Sequence, residues 1–414
     1  MAAPSAYASR LIDPALDELF SQLSALLIVG PRAVGKTTSA RRLARTVVKL
    51  DVPAEAAAFR ADADAALSAM QEPVLLDEWQ EVPDLMGAVR RAVDADPRAG
   101  RFLLTGSARA RRGAQAWSGI GRVVGLRMYG LTIRETMGRA SGPTFLDRLS
   151  AADLSLFPAP AQPPDLRGYV SLALRGGYPE PVLRLTGLAR QAWLDSYVDH
   201  LVTRDAEALD GNRDPVLLRK YFDALCVNSA GVALDKTLYD AAGISRTTAG
   251  AYERLLADLF VYEALPGWSN NRMSRMVKAS KRYLTDSSLV AAALGLDERA
   301  VLRDGDLLGR LIDTFAFSQI RPELEVSYHT RLYHLRDRDG RHEVDLLAEV
   351  AGGGIVALEI KATSAPGPSD ARHLGWLRDQ LGDRFLAGAV LHTGPRPFGL
   401  GDRLLALPIC SLWN

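Results

Sequence analysis

The stretch Ala25-Leu-Leu-Ile-Val-Gly-Pro-Arg-Ala-Val-Gly-Lys-Thr-Thr38 decides the fold of the first part of the chain. Leu26 to Val29 read as a buried strand, because so short an unbroken apolar run suits a sheet covered on both faces. The strand leads into Gly30-x-x-x-x-Gly35-Lys36-Thr37, and Thr38 to Val48 are predicted to form a helix. In a strand, glycine loop and helix of this kind, backbone N–H groups converge on phosphate oxygens at the positive end of the helix dipole. Gly30, Pro31, Arg32, Ala33, Val34, Gly35, Lys36, Thr37 and Thr38 are therefore expected to cradle the phosphates of a nucleotide. Gly35 lets the backbone approach without a Cβ in the way. Lys36 supplies a point charge to the β and γ oxygens, and Thr37 a hydroxyl ligand for Mg²⁺.

Further along, Pro73-Val-Leu-Leu-Asp-Glu-Trp-Gln80 is an apolar strand ending in two adjacent carboxylates. Downstream of a phosphate loop, Asp77 is placed to hold Mg²⁺ and Glu78 to orient and deprotonate a water at the γ-phosphate. The next strand ends in Leu104-Thr-Gly-Ser107, which puts Thr105 or Ser107 between these carboxylates and the phosphates. A γ-phosphate sensor and an ordinary strand-to-loop turn both satisfy that pattern.

With 414 residues, of which 48% are hydrophobic and 24% charged, the chain is globular in composition and long enough for several domains. A net charge of +1 advertises no global affinity for nucleic acid, although Arg109-Ala-Arg-Arg112 and residues 271–282 are locally basic. Two distant cysteines, Cys226 and Cys410, exclude a disulfide framework and a cysteine zinc site, and they suit a reducing cytoplasm. Neither a secretory leader nor an apolar run of membrane-spanning length is present, so the expectation is a cytoplasmic protein without a membrane partner.

Strands at Leu26–Val29, Val74–Asp77, Phe102–Thr105 and Val123–Met128 alternate with helical stretches, the pattern of an α/β domain with a parallel sheet. Phe157-Pro-Ala-Pro-Ala-Gln-Pro-Pro164 reads as a surface linker. Leu166 to Gly295 are mainly helical. From Arg303 a second α/β unit is expected: helix Asp306–Ile320, strands Val326–Leu335, Glu343–Glu349 and Ile355–Lys361, helix Asp370–Leu381 and strand Ala387–His392. The expected domains are 1–160, 161–300 and 301–414.

From about residue 20 to about 365 the chain resembles the AAA-type ATPases, and more narrowly the bacterial and archaeal group that joins an AAA domain to a C-terminal DUF4143 region. Gly30–Thr38, Leu75–Glu78, Leu104–Ser107, Gly121-Arg122 and Arg127-Met-Tyr-Gly-Leu-Thr-Ile-Arg-Glu135 carry the resemblance. So do Arg175-Gly-Gly-Tyr-Pro-Glu180, Ser196-Tyr197 and Thr203-Arg-Asp205, and the Gly-Gly-Tyr-Pro-Glu string is its most specific part. Tyr129-Gly130-Leu131 departs from the more usual Tyr-Pro-Leu. The resemblance implies ATP as the nucleotide, with Mg²⁺, and hydrolysis by a site containing Glu78, Lys36 and a phosphate-facing arginine. Arg122 is the first candidate for that arginine, with Arg109, Arg127 and Arg204 competing; action from a neighbouring subunit implies a homo-oligomer.

Leu234 to Phe260 read as a helix, a turn centred on Gly243 and a second helix opened by Ser245, with Val261–Leu265 as a wing. This is a winged-helix layout. Ser245, Arg246, Thr247 and Thr248 open a recognition helix for DNA or another nucleic acid. Arg272, Arg275, Lys278, Lys281 and Arg282 are then phosphate contacts. A protein-interaction module has the same layout, and a protein partner stays open.

In His342-Glu-Val-Asp-Leu-Leu347 and Val356-Ala-Leu-Glu-Ile-Lys-Ala-Thr363, Glu359 and Lys361 share one face of a strand, and a paired strand can bring Asp345 beside them. Asp345 and Glu359 are candidate metal ligands, with Lys361 to stabilise charge. The arrangement resembles the PD-(D/E)xK nuclease core, a restriction-endonuclease-like α/β fold, with Asp313 where that core often has a Glu. His342 reads as an exposed strand residue with an outside claim on the metal site. The functions left open are an ATP-hydrolysing protein whose C-terminal modules contact DNA or a partner, an ATP-gated metal-dependent nuclease, and a nucleotide-dependent scaffold.

Overall fold

In the computed structural model, which describes residues 7–107, 121–205, 214–270, 279–337 and 341–414, two units separate: 1–131 with 258–260, and 132–257 with 261–414. The first is built on a five-stranded sheet. Its strands are β1 (Ala25–Val29), β2 (Thr46–Lys49), β3 (Val74–Asp77), β4 (Phe102–Gly106) and β5 (Val124–Arg127), in the order β2-β3-β4-β1-β5. Every pairing is parallel. The three central strands β3, β4 and β1 are apolar along almost their whole length because helices cover both faces. Leu27, Leu76 and Leu104 pack there with Phe59, Val89 and Phe102. A parallel sheet gathers the carboxyl ends of its strands at one edge, which brings Gly30, Asp77 and Ser107 together.

The helix after the phosphate loop is shorter than the sequence suggests, ending at Arg41 rather than Val48. Thr46, Val47 and Val48 instead pair with Val74, Leu75 and Leu76. β-Branched side chains are stiff at χ1 and sit well on a pleated surface, so the adjoining β3 wins over helical spacing.

The first unit closes at Leu131, earlier than the expected boundary at 160. Residues 132–160 belong to the second unit, where Thr132 with Glu135 and Thr144 with Asp147 cap two short helices reciprocally. Phe157, at the head of the presumed linker, is buried edge-on against Phe145 at 5.7 Å. The expected second and third domains also fall into this one unit. It contains helices Pro215–Val227, Asp235–Ala242 and Arg246–Asp258, then an antiparallel hairpin of β6 (Tyr262–Leu265) and β7 (Lys281–Leu284).

A six-stranded mixed sheet follows the helix Gly305–Ile320. Its strands are β8 (Arg331–Arg336), β9 (Glu343–Glu349), β10 (Ile355–Lys361), β11 (Phe385–His392), β12 (Phe398–Gly401) and β13 (Leu404–Pro408), in the order β12-β13-β11-β10-β9-β8. The strand predicted from Val326 starts only at Arg331, because the 3₁₀ turn over residues 321–325 runs into a further turn in which the Thr330 N–H donates to Ser327 O at 3.2 Å and His329 is left-handed at φ 66°. β12 and β13 lie beyond the strands expected from the sequence. Val344, Leu347, Ile355, Ala357 and Val390 form the sheet's core against Leu374 and Leu377 of helix Arg372–Leu381.

Candidate nucleotide site and acidic cluster

Lys36 opens the helix that follows Gly35, itself at φ 97°. Its side chain is buried, and its ammonium donates to the carbonyls of Gly30 (3.0 Å) and Pro31 (2.7 Å). Burial pulls its pKa down to about 8, against the opposing pull of Glu78 and Asp77. The Thr37 hydroxyl donates to Asp77 Oδ1 at 2.7 Å, and the Thr105 hydroxyl donates to the same oxygen. Glu78 follows β3 in a left-handed conformation (φ 53°). There its Oε2 accepts from the Ser107 hydroxyl (3.0 Å), the Ser107 N–H (3.3 Å) and the Gln80 amide. Thus Lys36, Thr37, Asp77, Glu78, Thr105 and Ser107 come together at one sheet edge. Arg10, which sequence reasoning passed over, holds the loop from behind, donating to Val34 O at 2.8 Å and Tyr129 O at 2.7 Å. A lone arginine before a helix carries no local signal of that role.

In the second unit, β9 and β10 pair as far as Leu346 and Leu358; Asp345 and Glu359 are the next residues on each strand. Asp345 Oδ2 accepts from the Ile360 N–H at 2.9 Å. Its other oxygen and Asp313 Oδ2 each take a hydrogen bond of 2.7 Å from the Lys281 ammonium, which is 2% exposed. Asp313 Oδ1 accepts from the Tyr283 hydroxyl at 3.0 Å. Lys361 pairs with Glu359 Oε1 at 2.7 Å. Burial, reinforced by the nearby Asp345 charge, raises the Glu359 carboxyl to about 8, and burial raises Asp313 to about 6. Asp345 goes the other way: burial pushes it up, but Lys281 outweighs that and holds it below the usual carboxylate range. The cluster holds its own cation, so the donor set does not fit a divalent ion beside Lys281.

A family model described as an AAA domain matches residues 22–137, and one described as a domain of unknown function, DUF4143, matches 308–412. The chain has the AAA plus DUF4143 architecture. Between those segments, a second domain of unknown function, DUF8612, matches residues 166–300. Two curated relatives are the uncharacterized proteins Rv2008c of Mycobacterium tuberculosis and Mb2031c of Mycobacterium bovis. Each is 29% identical over 388 residues, covering 92% of this chain and 79% of the relative. The AAA domain points to an ATPase-type function. Among the described residues, no helix is long and apolar enough to cross a membrane.

Within the AAA domain, Arg122 is not brought to the phosphate loop. It precedes β5, at the opposite end of the sheet from Lys36, and pairs with Asp94 at 2.7 Å while 48% exposed. Arg127 donates to the Tyr129 hydroxyl at 3.0 Å and lies over the Phe260 ring. Arg109 and the side chain of Arg204 lie outside the described residues.

Ahead of the DUF4143 region, Ser245 caps the helix Arg246–Asp258 by accepting from Thr248 N–H at 3.1 Å. Ser245, Arg246 and Thr247 are exposed there. Two expected phosphate contacts are corrected. Lys281 is consumed by Asp313 and Asp345, and Arg282 is buried, donating to Glu253 (3.1 Å), Asp235 and the Ala233 carbonyl (2.8 Å). Neither side chain is presented to a nucleic acid. Arg272, Arg275 and Lys278 lie outside the described residues. His342 is engaged with Asp337 at 2.9 Å and stacks on Trp376 at 4.0 Å.

Proposed function

We propose that the AAA domain binds and hydrolyses ATP with Mg²⁺, and that the region beyond it contacts DNA, with a protein partner as the second reading. The observation that carries the catalytic part is the 2.7 Å contact between the Thr37 hydroxyl and Asp77, beside the buried Lys36. Two hard oxygen donors suit Mg²⁺, which would neutralise charge between the β and γ phosphates when bound there. Lys36 exchanges its two carbonyl partners for phosphate oxygens. Glu78, fixed by Ser107 and Gln80, orients the attacking water and accepts its proton. Thr105 holds Asp77 in place. Arg122 is remote from Lys36 in its own chain, so its part in this reading is one played from a neighbouring copy in a homo-oligomer, while Arg109 and Arg204 are the alternatives within the chain.

Glu78→Gln tests the assignment. Loss of a general base is expected to cut turnover by about 100- to 10,000-fold while nucleotide binding persists. Undiminished phosphate release by that variant would overturn it.

For the second unit, the support is the exposed helix start at Ser245, Arg246 and Thr247, with the β6–β7 hairpin following that helix in the chain, the element order of a winged helix. The β9–β10 pair with Asp345, Glu359 and Lys361, and the helix bearing Asp313, support a nuclease-like ancestry for the DUF4143 region. Salt-dependent binding of a labelled duplex, weakened by Arg246→Ala, is expected for DNA contact. Binding that is absent at low salt favours the protein partner.

A further inference from the structure

Lys281 is the first residue of β7 and pairs with Leu265 of β6, so the hairpin's register decides where its side chain goes. The hairpin and the residues after β6 are fastened to the DUF4143 region at several points. The Trp268 N–H donates to His334 O at 2.6 Å, the His334 N–H donates to Pro266 O at 3.1 Å, and Glu263 pairs with Arg321 at 2.8 Å. Lys281 is therefore delivered to Asp313 and Asp345 by a paired strand, not by a solvated arm. A lysine selected for nucleic-acid contact gains nothing from being 2% exposed. Burial of an ammonium is tolerated only when its charge and its donors are met, and here two carboxylates from separate elements meet them.

The carboxylates themselves have the composition of a divalent-cation site: one from a helix, one from each of two paired strands. Glu359 is more than nine-tenths buried, and its Oε2 has no hydrogen-bond partner among the described residues. A divalent ion coordinated by Asp313 and Asp345 would sit at about 2.0–2.6 Å from their oxygens. That is the space into which both carboxylates point and which the Lys281 ammonium, 2.7 Å from each, already fills.

We propose that Lys281 is the resident cation of the DUF4143 acidic cluster, standing where a divalent ion would bind, so that the cluster excludes metal and clasps the β6–β7 hairpin to the sheet. On this basis the region does not cleave phosphodiesters through a metal while Lys281 is in place. The proposal is independent of the ATPase assignment, since it concerns residues of the second unit alone.

The test is Mn²⁺ binding by the full chain without nucleotide, followed by calorimetry and by the loss of free-ion electron paramagnetic resonance signal. Any ion held by the AAA domain is common to all variants, and the difference from wild type is what is read. Lys281→Met keeps the length and removes the charge. It is expected to gain one Mn²⁺ bound at least about a hundredfold more tightly than wild type at this cluster, because two cations a few ångströms apart repel strongly even at an effective dielectric near 20. Mn²⁺ is also expected to raise the Tm of this variant and to leave that of wild type unchanged. Adding Glu359→Gln to Lys281→Met is expected to abolish the gained ion, which locates it. Should Lys281→Met fail to fold, Lys281→Gln keeps donors toward Asp313 and Asp345 while removing the charge, and reads the same difference. Wild type binding Mn²⁺ as tightly as Lys281→Met through Asp345 and Glu359 would overturn the proposal. So would the absence of any gain in both Lys281 variants.

Discussion

Replacing Gly176 by alanine tests whether the string Arg175-Gly-Gly-Tyr-Pro-Glu180 is a packing device. Gly176 ends the helix Leu166–Arg175 at φ 66° and ψ −156°. That region is open essentially to glycine alone, and another residue held there costs about 1–3 kcal/mol. A Cβ on Gly176 would stand 2.2 Å from Asp286 Oδ1 and 2.3 Å from Ser288 Oγ. The turn carrying those atoms must then move away. In place, Asp286 accepts from the Gly177 N–H (2.8 Å), the Ser288 N–H (2.9 Å) and the Ser288 hydroxyl (2.6 Å), all buried. Breaking the Gly177 bond leaves a buried acid short of a donor, worth about 1–3 kcal/mol more. The two contributions together give an expected loss of about 2–6 kcal/mol. Gly295→Ala is the control: it has φ 61°, but no atom lies within 4 Å of its Cβ. Left-handed strain alone sets its cost, about 1 kcal/mol. Urea unfolding of the full chain, followed by tryptophan fluorescence and circular dichroism, measures both. If Gly176→Ala is no more destabilising than Gly295→Ala, the motif does not work by packing.

Burial pushes Glu323 up to about 7 from an ordinary value near 4.5, against hydrogen bonds from Phe145 N–H and the charge of Arg134. The folded state then binds more protons than the unfolded one between those values, so stability falls as pH rises through that window, by at most about 3 kcal/mol. Urea midpoints at pH 5 and pH 8 are expected to differ in that direction for wild type and much less for Glu323→Gln. Arg282→Ala is expected to cost about 1–3 kcal/mol of stability by removing the buried guanidinium from half-buried Glu253 and from the Ala233 carbonyl, with duplex affinity unchanged at temperatures where the variant is folded. A selective loss of duplex binding without a shift in the unfolding midpoint would return Arg282 to the role of a nucleic-acid contact.

The nucleotide edge was legible because each of its parts is local. Gly30 to Thr38 is one turn of chain, and Asp77, Glu78, Thr105 and Ser107 each terminate an apolar strand whose run is visible in the sequence. β2 was missed because Thr46 to Lys49 is an edge segment of four residues, and only pairing with β3 makes it a strand. Phe157 shows the same limit, since a proline-rich stretch looks like linker until Phe145 is seen to bury its first residue. Basic residues were hardest to place. Lys281 and Arg282 sit in a run that reads as a solvated cationic surface, yet Asp313 and Asp345, which claim Lys281, are 32 and 64 residues away.

The sequence by itself determined the phosphate loop, the carboxylates after β3 and the AAA plus DUF4143 resemblance. Periodicity and glycine spacing act over a few residues, and the backbone obeys them wherever they occur. Only the tertiary structure decided that Arg122 pairs with Asp94 in its own chain, and that Lys281 neutralises Asp345, one of the two carboxylates expected to hold a metal, together with Asp313. The partner of a charge is fixed by what burial brings within a few ångströms of it. That depends on strand register and helix packing, and neither is written next to the charge in the chain.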